Sequence, residues 1–248
     1  MIDLHCRILP GVDDGSRSEE MSLAMSDMAE ASGVTDIAAT SHFPIDREEA
    51  ERVKDEYALL TRELQQRIRA DGQKIRLHTG AEVLCTEQTP ELLRDGLLPT
   101  IGNTDYLLVE FYFDTPAAVI ENRLQQLTAE GVRIVLAHPE RYYDVQRRRE
   151  YLVQWFRRGI VLQCNKGSIL GSLGGRAMRT SHWMLDSGLA HIVASDAHTD
   201  RVRTPHMTEV RELLEDRWGE EYAEVLTQKN PERILGNRPV LFPDEVLF

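Results

Sequence analysis

Six short apolar runs in this chain each lead into a histidine, glutamate or aspartate. The clearest reads IVASDAH at 192–198. Side chains two apart in a strand point to the same face, so Asp196 and His198 leave this run together. The other five runs lead to His5, His42, Glu82, Glu110 and His138. The repetition predicts a set of strands that bring their functional side chains to one edge of a sheet.

The apolar runs alternate with segments of helical periodicity, which predicts a parallel sheet with helical crossovers. We expect strands at 1–6, 36–40, 75–83, 106–111, 133–137, 160–164 and 191–195, helices at 19–32, 47–70, 116–130, 145–157, 174–187, 207–216 and 219–228, an irregular segment at 84–104 and a Pro-containing tail. An open sheet gathers its site from two or three strands, whereas a closed barrel gathers every strand end. We therefore expect an α/β fold, a distorted (β/α)7 barrel with its site at the C-terminal strand ends, as one domain over 1–248.

Composition excludes several classes of function. The net charge of −12 argues against nucleic acid as a partner. No apolar run approaches the ~18 residues of a transmembrane helix, and no signal peptide precedes the first apolar run. The three scattered cysteines are an odd set, which is typical of a reducing compartment. We expect a cytoplasmic protein that is not inserted in a membrane.

The strand-end residues have the chemistry of metal ligands. Each one alone has an ordinary structural interpretation, as a capping, turn or ion-pair residue, but their recurrence favours a metal site. Imidazole and carboxylate groups together suit Mn, Fe, Zn and similar ions, and neighbouring ions can activate a water and stabilise a transferring phosphoryl group. The candidate ligands are His5, Asp14, His42, Glu82, Glu110, His138, Asp196 and His198.

Two arginines lie close to these candidates in the sequence. Arg141 follows His138 by three positions, and Arg203 follows His198 by five. A guanidinium binds phosphate oxygens bidentately, so each could hold a phosphoryl group or form a surface salt bridge. Cysteine-dependent phosphatase chemistry is not encoded, because no cysteine has an arginine six positions later. No P-loop and no Gly-x-Ser-x-Gly elbow is present.

These residues together resemble the PHP (polymerase and histidinol phosphatase) superfamily. The resemblance is greatest to the bacterial metal-dependent protein-tyrosine phosphatases of the CpsB/CapC type. The matching motifs are MIDLH at 1–5, LPGVDDG at 9–15, TSH at 40–42, GAE at 80–82, VE at 109–110, AHPERY at 137–142, ASDAH at 194–198 and RTPHM at 203–207. Their order and combination cover most of the chain.

The resemblance implies a barrel that holds two or three divalent ions, with Mn expected and Fe, Co, Zn or Mg as alternatives. It implies three ligand sets: His5, Glu82 and Asp196; Glu82, Glu110 and His138; and Asp14, His42 and His198. It places Arg141 and Arg203 on the phosphoryl group. The implied partner is the tyrosine-phosphorylated tail of a kinase that controls capsule and exopolysaccharide synthesis. A phosphatase for a small phosphomonoester such as histidinol phosphate, and a phosphotyrosine-binding regulator without turnover, are alternatives.

One residue departs from the pattern of this family. The family begins His-x-His, and here Arg7 stands at the second histidine. A guanidinium stays protonated and cannot ligate a metal, and its charge repels a nearby cation. Arg7 could swing aside and leave water at the first ion, or its guanidinium could take that ion's place beside Glu82 or Asp196. We expect the first ion position to be weak or empty, the other two to be filled, and turnover to be lowered.

Overall fold

The structure, a computed structural model, describes residues 1–242, so 243–248 of the predicted tail lie outside the described residues. Its strands are β1 (Ile2–Cys6), β2 (Asp36–Ala39), β3 (His42–Phe43), β4 (Arg76–Thr79), β5 (Glu82–Leu84), β6 (Tyr106–Glu110), β7 (Arg133–Leu136), β8 (Val161–Asn165) and β9 (Ile192–Ala194). Its α-helices are α1 (Glu19–Ala31), α2 (Arg47–Ala70), α3 (Thr89–Arg94), α4 (Ala117–Ala129), α5 (Tyr143–Arg147), α6 (Glu150–Arg157), α7 (Lys166–Ile169), α8 (Gly175–Asp186), α9 (Thr208–Trp218), α10 (Glu220–Glu224) and α11 (Asn230–Leu235).

The strands form a curled parallel sheet in two parts, in the orders β1-β2-β4 and β3-β5-β6-β7-β8-β9. The two ends of the curl meet where Cys6 forms a parallel bridge with Ala197. Two backbone hydrogen bonds reinforce this contact, from Arg7 N to Ala197 O at 2.9 Å and from Asp196 N to His5 O at 2.8 Å. The predicted distorted α/β barrel is confirmed, and the first and last strands lie side by side.

Two predicted strands are each broken into two. The segment predicted at 36–40 continues after a break as β3, and the segment predicted at 75–83 divides into β4 and β5. At the break the Thr40 hydroxyl accepts the Cys6 N–H at 2.9 Å. A Cβ on Gly80 would lie 3.0 Å from Thr40 Cγ2, so glycine lets the two strands approach here. His42 and Glu82 therefore begin short strands, and they pair with each other in register.

Strand alternation divides the apolar side chains between two clusters. Tyr106 and Leu108 share the face of Glu110, and Val161 shares the face of Asn165. These side chains form one buried cluster together with Ile192. The opposite strand faces pack against the helices in a larger cluster. The inner cluster supports the strand ends from below and leaves polar side chains at their C-terminal edge.

The helical segments differ from the predictions in several places, and α3 and α7 lie where no helix was predicted. The predicted helix 145–157 is interrupted at Arg148, whose extended backbone separates α5 from α6. The predicted tail contains α11, which follows α10 through a π-helical turn at Val225–Lys229. Pro231 lies in the first turn of α11, where its missing N–H costs little. Within residues 1–242, no helix has both the length and the apolar content to cross a membrane.

Candidate metal and phosphate site

The structure brings the eight predicted ligands together at the C-terminal end of the barrel. Glu82 lies at the centre: its Oε1 is 3.1 Å from His138 Nε2, and its Oε2 is 3.0 Å from His5 Nε2. His42 Nε2 lies 3.0 Å from Glu110 Oε1 on the neighbouring strand. Three strand ends and a short strand pair therefore supply one contiguous set of imidazoles and carboxylates.

The remaining ligands close the site from the side of β1 and β9. His198 Nε2 is 3.7 Å from Asp14 Oδ2, and its Nδ1 is 3.7 Å from Asp196 Oδ1. Asp14 lies on the loop after β1, with 63% of its side chain exposed. Asp13 fixes this loop, because its carboxylate accepts the His42 N–H at 2.8 Å and the Gly15 N–H at 2.9 Å. From the sequence, Asp13 belongs to the motif at 9–15 and was not a candidate ligand.

The donor set fits divalent ions. Within residues 1–242, buried His5 Nε2, His42 Nε2 and Asp196 Oδ1 have no hydrogen-bond partner. Buried polar atoms normally have one, so unpartnered atoms that converge on one point are typical of a ligand site. Three groups have donor atoms that all lie within 4.8 Å of one another: His5, Glu82 and His138; Asp13, Asp14 and His42; and His42, Glu82 and Glu110. Imidazole and carboxylate are suitable ligands for Mn, Fe or Zn.

Strand β8 carries no histidine or carboxylate, but it orients two candidate ligands that lie beside it. Gln163 Oε1 is 3.0 Å from His5 Nδ1, which directs His5 Nε2 into the site. Asn165 donates from its side chain to Asp196 Oδ2 at 2.5 Å, and its backbone N–H donates to Glu140 Oε1 at 3.0 Å. Neither Gln163 nor Asn165 was among the residues predicted for the site from the sequence. The available signal was position, because Asn165 ends its strand as the predicted ligands end theirs.

The electrostatics of the cluster keep its carboxylates ionised. Burial raises the pKa of Glu82, but the neighbouring charges, chiefly His5, hold it well below the usual range. Burial lowers the pKa of His5, and the charges of Glu82 and Asp196 outweigh that effect and raise it to about 9. Burial and the nearby Arg7 lower the pKa of His198 to about 4. Ionised carboxylates and a neutral His198 are the ligand forms that a divalent ion requires, whereas His5 has to lose a proton before it can bind an ion.

Both predicted phosphate-binding arginines lie beside the cluster. Arg203 Nη2 donates to Asp196 Oδ2, and Arg141 Nη1 lies 3.5 Å from the same oxygen. The Arg141 guanidinium also lies 4.3 Å above the ring centroid of Phe113. Both side chains line a cavity of about 490 Å³. Its other walls are Arg7, Asp14, His42, Phe43, Pro44, Ile45, Glu82, Leu84, Glu110, Phe111, Tyr112, Phe113 and His198.

Arg7 does not swing aside. Its side chain is only 5% exposed, and Nη2 donates to Glu82 Oε2 at 2.7 Å. Nη1 donates to Asp14 and lies 3.2 Å from His42 Nδ1, while Nε is 3.9 Å from Asp196 Oδ1. Of the two arrangements considered from the sequence, the structure has the guanidinium among the ligands.

Three functional residues have left-handed backbone conformations. The φ angles are 35° at His138, 48° at Asp196 and 54° at Arg203. Residues other than glycine rarely adopt this conformation, and it persists only where the surrounding structure holds it. The angles at His138 and Asp196 turn the chain just after β7 and β9. The side chains of all three residues contact the cluster at the mouth of the barrel.

A barrel whose mouth combines imidazoles, carboxylates and guanidinium groups is typical of metal-dependent phosphoryl-transfer enzymes. The family described as capsular polysaccharide synthesis, CpsB/CapC, matches residues 1–236. The chain belongs to this family. The predicted membership is confirmed, and with it the prediction of a metal-dependent phosphatase of the CpsB/CapC type.

The sequences of individual relatives align with this chain along nearly their whole length. Tyrosine-protein phosphatase YwqE of Bacillus subtilis (strain 168) is 32% identical over 244 residues, which cover 97% of this chain and 93% of the relative. Tyrosine-protein phosphatase CpsB of Streptococcus agalactiae serotype III (strain NEM316) is 29% identical over 244 residues, 96% and 99% of the two chains. A crystal structure from work on YwqE of Bacillus subtilis and CpsB of Streptococcus pneumoniae, described as unique metal-dependent tyrosine phosphatases, superposes with a TM-score of 0.89. It is 29% identical and covers 98% of this chain and 97% of that one.

Proposed function

We propose that this chain removes the phosphate from phosphotyrosine in proteins, with divalent ions bound at the mouth of the barrel. The observation that carries the proposal is the cavity of about 490 Å³, which has metal-type ligands, three guanidinium groups and aromatic rings in its walls. A phosphotyrosine side chain needs all three surfaces: cations for its oxygens, a site for the reacting water and an apolar wall for its ring. Residues 1–248 would perform this chemistry as one domain.

The ligands divide into three overlapping sets in this proposal. The first set is His5, Glu82 and Asp196, the second is Glu82, Glu110 and His138, and the third is Asp14, His42 and His198. The short distances within the second set, such as 3.1 Å from His138 Nε2 to Glu82 Oε1, support it most directly. The ion type is Mn, with Fe, Co, Zn or Mg as alternatives, in two or three copies. When bound, such ions activate a water and neutralise charge on the phosphoryl oxygens.

Arg141 and Arg203 hold the phosphoryl oxygens. Both guanidinium groups lie partly exposed at the cavity wall and share Asp196 as a partner. Each retains N–H groups beyond the one that faces Asp196, because a guanidinium has five donors. Charge-assisted contacts of this kind both bind the phosphate and stabilise the charge that develops during its transfer. They act on the phosphoryl group from the wall of the cavity.

The aromatic wall accounts for the choice of tyrosine. Phe43, Phe111, Tyr112 and Phe113 line the same cavity as the arginines. Tyr112 is 65% exposed, which places a large aromatic surface at the entrance. A phosphotyrosine ring extends far enough from the backbone to bury against such a wall, whereas phosphoserine has no ring to contribute.

The substrate is the tyrosine-phosphorylated tail of a kinase that controls capsule or exopolysaccharide synthesis. The family description, capsular polysaccharide synthesis, supports this assignment. We place the reaction in the cytoplasm, and all three cysteines are free and buried, which is compatible with a reducing compartment. Arg7, which occupies space among the ligands, would lower turnover.

The test is phosphate release by protein that has been stripped of metal and then reloaded with Mn²⁺. A tyrosine-phosphorylated peptide, the same peptide with phosphoserine, and histidinol phosphate are compared. We expect activity only after reloading and the highest kcat/KM on the phosphotyrosine peptide. Preference for histidinol phosphate would replace the proposal with a small-molecule phosphatase. Tight phosphopeptide binding without phosphate release in any metal would replace it with a binding regulator.

A further inference from the structure

The backbone of Arg7 is held on both sides by hydrogen bonds. Arg7 N donates to Ala197 O, and Arg7 O accepts the Ser16 N–H at 3.0 Å. Gly15 packs directly over it, because a Cβ there would lie 2.4 Å from Arg7 O. With its backbone fixed, the side chain reaches the mouth of the barrel, where it contacts Glu82 and Asp14. Its position among the ligands follows from β1 and the loop that covers it.

Arg7 makes contacts on one side of the site only. It donates to Glu82 Oε2 and to Asp14, and its Nη1 lies 3.2 Å from His42 Nδ1. The other side of Glu82 is free of it, since Oε1 faces His138. Glu110 likewise faces His42 Nε2 and His138 Nε2, at 3.0 and 3.7 Å, and not Arg7. The ligand cluster thus has an arginine side and a side without arginine.

A bound ion on the arginine side would meet both a space conflict and a charge conflict. Glu82 Oε2 already accepts a charge-assisted hydrogen bond from Arg7 at 2.7 Å, which occupies the direction an ion would use. An ion of the first set would bind Glu82 Oε2 and Asp196 Oδ1, which lies 3.9 Å from Arg7 Nε, and would therefore lie against a permanent positive charge. The guanidinium already supplies positive charge to Glu82 and Asp14, which is the electrostatic role an ion would have there.

We infer that Arg7 takes the place of the first divalent ion, the one that His5, Glu82 Oε2 and Asp196 would hold, so this chain binds fewer ions than an Arg7→His variant. The remaining tight site is the one formed by Glu82 Oε1, Glu110 and His138, with His42 Nε2. The same contact neutralises the carboxylates before any ion arrives. The barrel mouth of this chain therefore depends less on metal for its stability than a mouth without the arginine. The inference rests on the proposed metal site and is independent of the phosphatase substrate.

The first measurement is the number of ions that remain after loading with Mn²⁺ and desalting, by elemental analysis and calorimetric titration. We expect Arg7→His to hold about one ion more per chain than the unmodified protein, because imidazole is a ligand and guanidinium is not. Arg7→Lys keeps the positive charge and should not gain an ion. Arg62→His, on the exposed face of α2, is the matched control and should change nothing. Equal ion counts for the unmodified chain and Arg7→His would overturn the inference.

The second measurement is thermal unfolding in excess chelator, which needs no bound metal. Arg7→Gln removes the charge and should lower Tm by roughly 5 °C or more, because the buried Glu82 loses a charge-assisted hydrogen bond. Saturating Mn²⁺ should raise the Tm of Arg7→Gln more than that of the unmodified chain. A chelated Arg7→Gln protein as stable as the unmodified chain would overturn the inference. Loss of phosphotyrosine activity with the expected ion counts would instead count against the proposed function alone.

Discussion

The two ends of the barrel each contain a buried aspartate with arginine and histidine neighbours, and they differ in how completely it is paired. At the base, Asp36 accepts from Arg76 Nε and Nη2 at 2.7 Å each, from His78 Nε2 at 2.8 Å and from Thr35 Oγ1 at 2.8 Å. At the mouth, Asp196 Oδ1 has no hydrogen-bond partner within residues 1–242. We call Asp36 and its partners Thr35, Arg76 and His78 the base cluster. The mouth cluster consists of the eight predicted ligands with Arg7, Arg141 and Arg203.

The difference separates a structural charge cluster from a binding site built of the same residue types. In the base cluster, burial alone would raise the pKa of Asp36. Its hydrogen bonds to His78 and Arg76 outweigh burial, so the pKa lies below the usual value. Every polar atom of that carboxylate is occupied, so nothing is left to bind a ligand. In the mouth cluster, charges lie close together and several donor atoms stay unpartnered. Composition alone would not distinguish the two groups, whereas hydrogen-bond saturation does.

The largest effect is expected for the arginines of the mouth cluster. Arg203→Ala or Arg141→Ala should lower kcat on a phosphotyrosine peptide by roughly 100- to 1,000-fold, with the bound metal retained, because a charge-assisted contact to the phosphoryl group is lost. Steady-state kinetics and elemental analysis measure both quantities. Arg76→Ala, in the base cluster, is the matched control and should leave kcat unchanged. Unchanged kinetics in both mouth variants would remove these arginines from the site.

A smaller effect is expected for the residues of β8 that orient the ligands. Asn165→Ala or Gln163→Ala should weaken Mn²⁺ binding by roughly 10- to 100-fold, since Asp196 or His5 loses the group that fixes its direction. Calorimetric titration with Mn²⁺ gives the affinity. Thr35→Ala, which removes one hydrogen bond from the base cluster, should not change it. If metal affinity is unaltered in both β8 variants, their role is confined to packing.

The base cluster should affect stability and its dependence on pH. Asp36→Asn should lower the free energy of unfolding by about 1–3 kcal/mol at pH 7 without changing kcat. Because the folded pKa of Asp36 is depressed, its contribution is present above the unfolded pKa of about 3.9 and is lost as pH falls below it. The stability difference between the two proteins should therefore shrink below about pH 4. Denaturant unfolding at several pH values measures it, and a difference that grows on acidification would contradict this account.

The smallest effect is expected for the cysteines. Burial raises the pKa of Cys6 and of Cys164 well above the usual value, so neither is a thiolate at neutral pH. Replacement of all three cysteines by Ser should leave catalysis largely intact where folding survives, and chelation should abolish activity in either protein. Activity that resists exhaustive chelation yet disappears with Cys6→Ser would refute the proposal that the mouth cluster catalyses the reaction with bound metal.

Much of the fold was predictable because strand ends carry both a local and a chemical signal. The apolar runs that lead to Glu110 and His138 are strands that end near those residues, as periodicity indicated. The breaks after Thr40 and before Ala81 were not predictable, because they depend on the contact between Thr40 and Gly80 on neighbouring strands. Local sequence carries no record of such a contact.

The site was predictable in its residue types and not in its pairing. Seven of the eight candidate ligands followed from strand ends and Asp14 from the loop after β1, but the contacts of Arg7 depend on where Glu82 and Asp14 lie in space. The sequence left two arrangements open for Arg7 because both satisfied its chemistry. Gln163 and Asn165 were missed since an amide that orients a ligand resembles any buried polar side chain of a strand.

The left-handed backbone at His138, Asp196 and Arg203 has a consequence for protein engineering. Replacement of such residues by glycine is a standard route to greater thermal tolerance, because it relieves an unfavourable φ angle. Three of the five non-glycine residues with a left-handed backbone within residues 1–242 belong to the mouth cluster. Replacement of these three by glycine would relieve strain but would also remove a proposed ligand or a guanidinium. A library selected only for heat resistance would drift toward inactive barrels at these sites, and a selection on this fold needs an activity screen at each round.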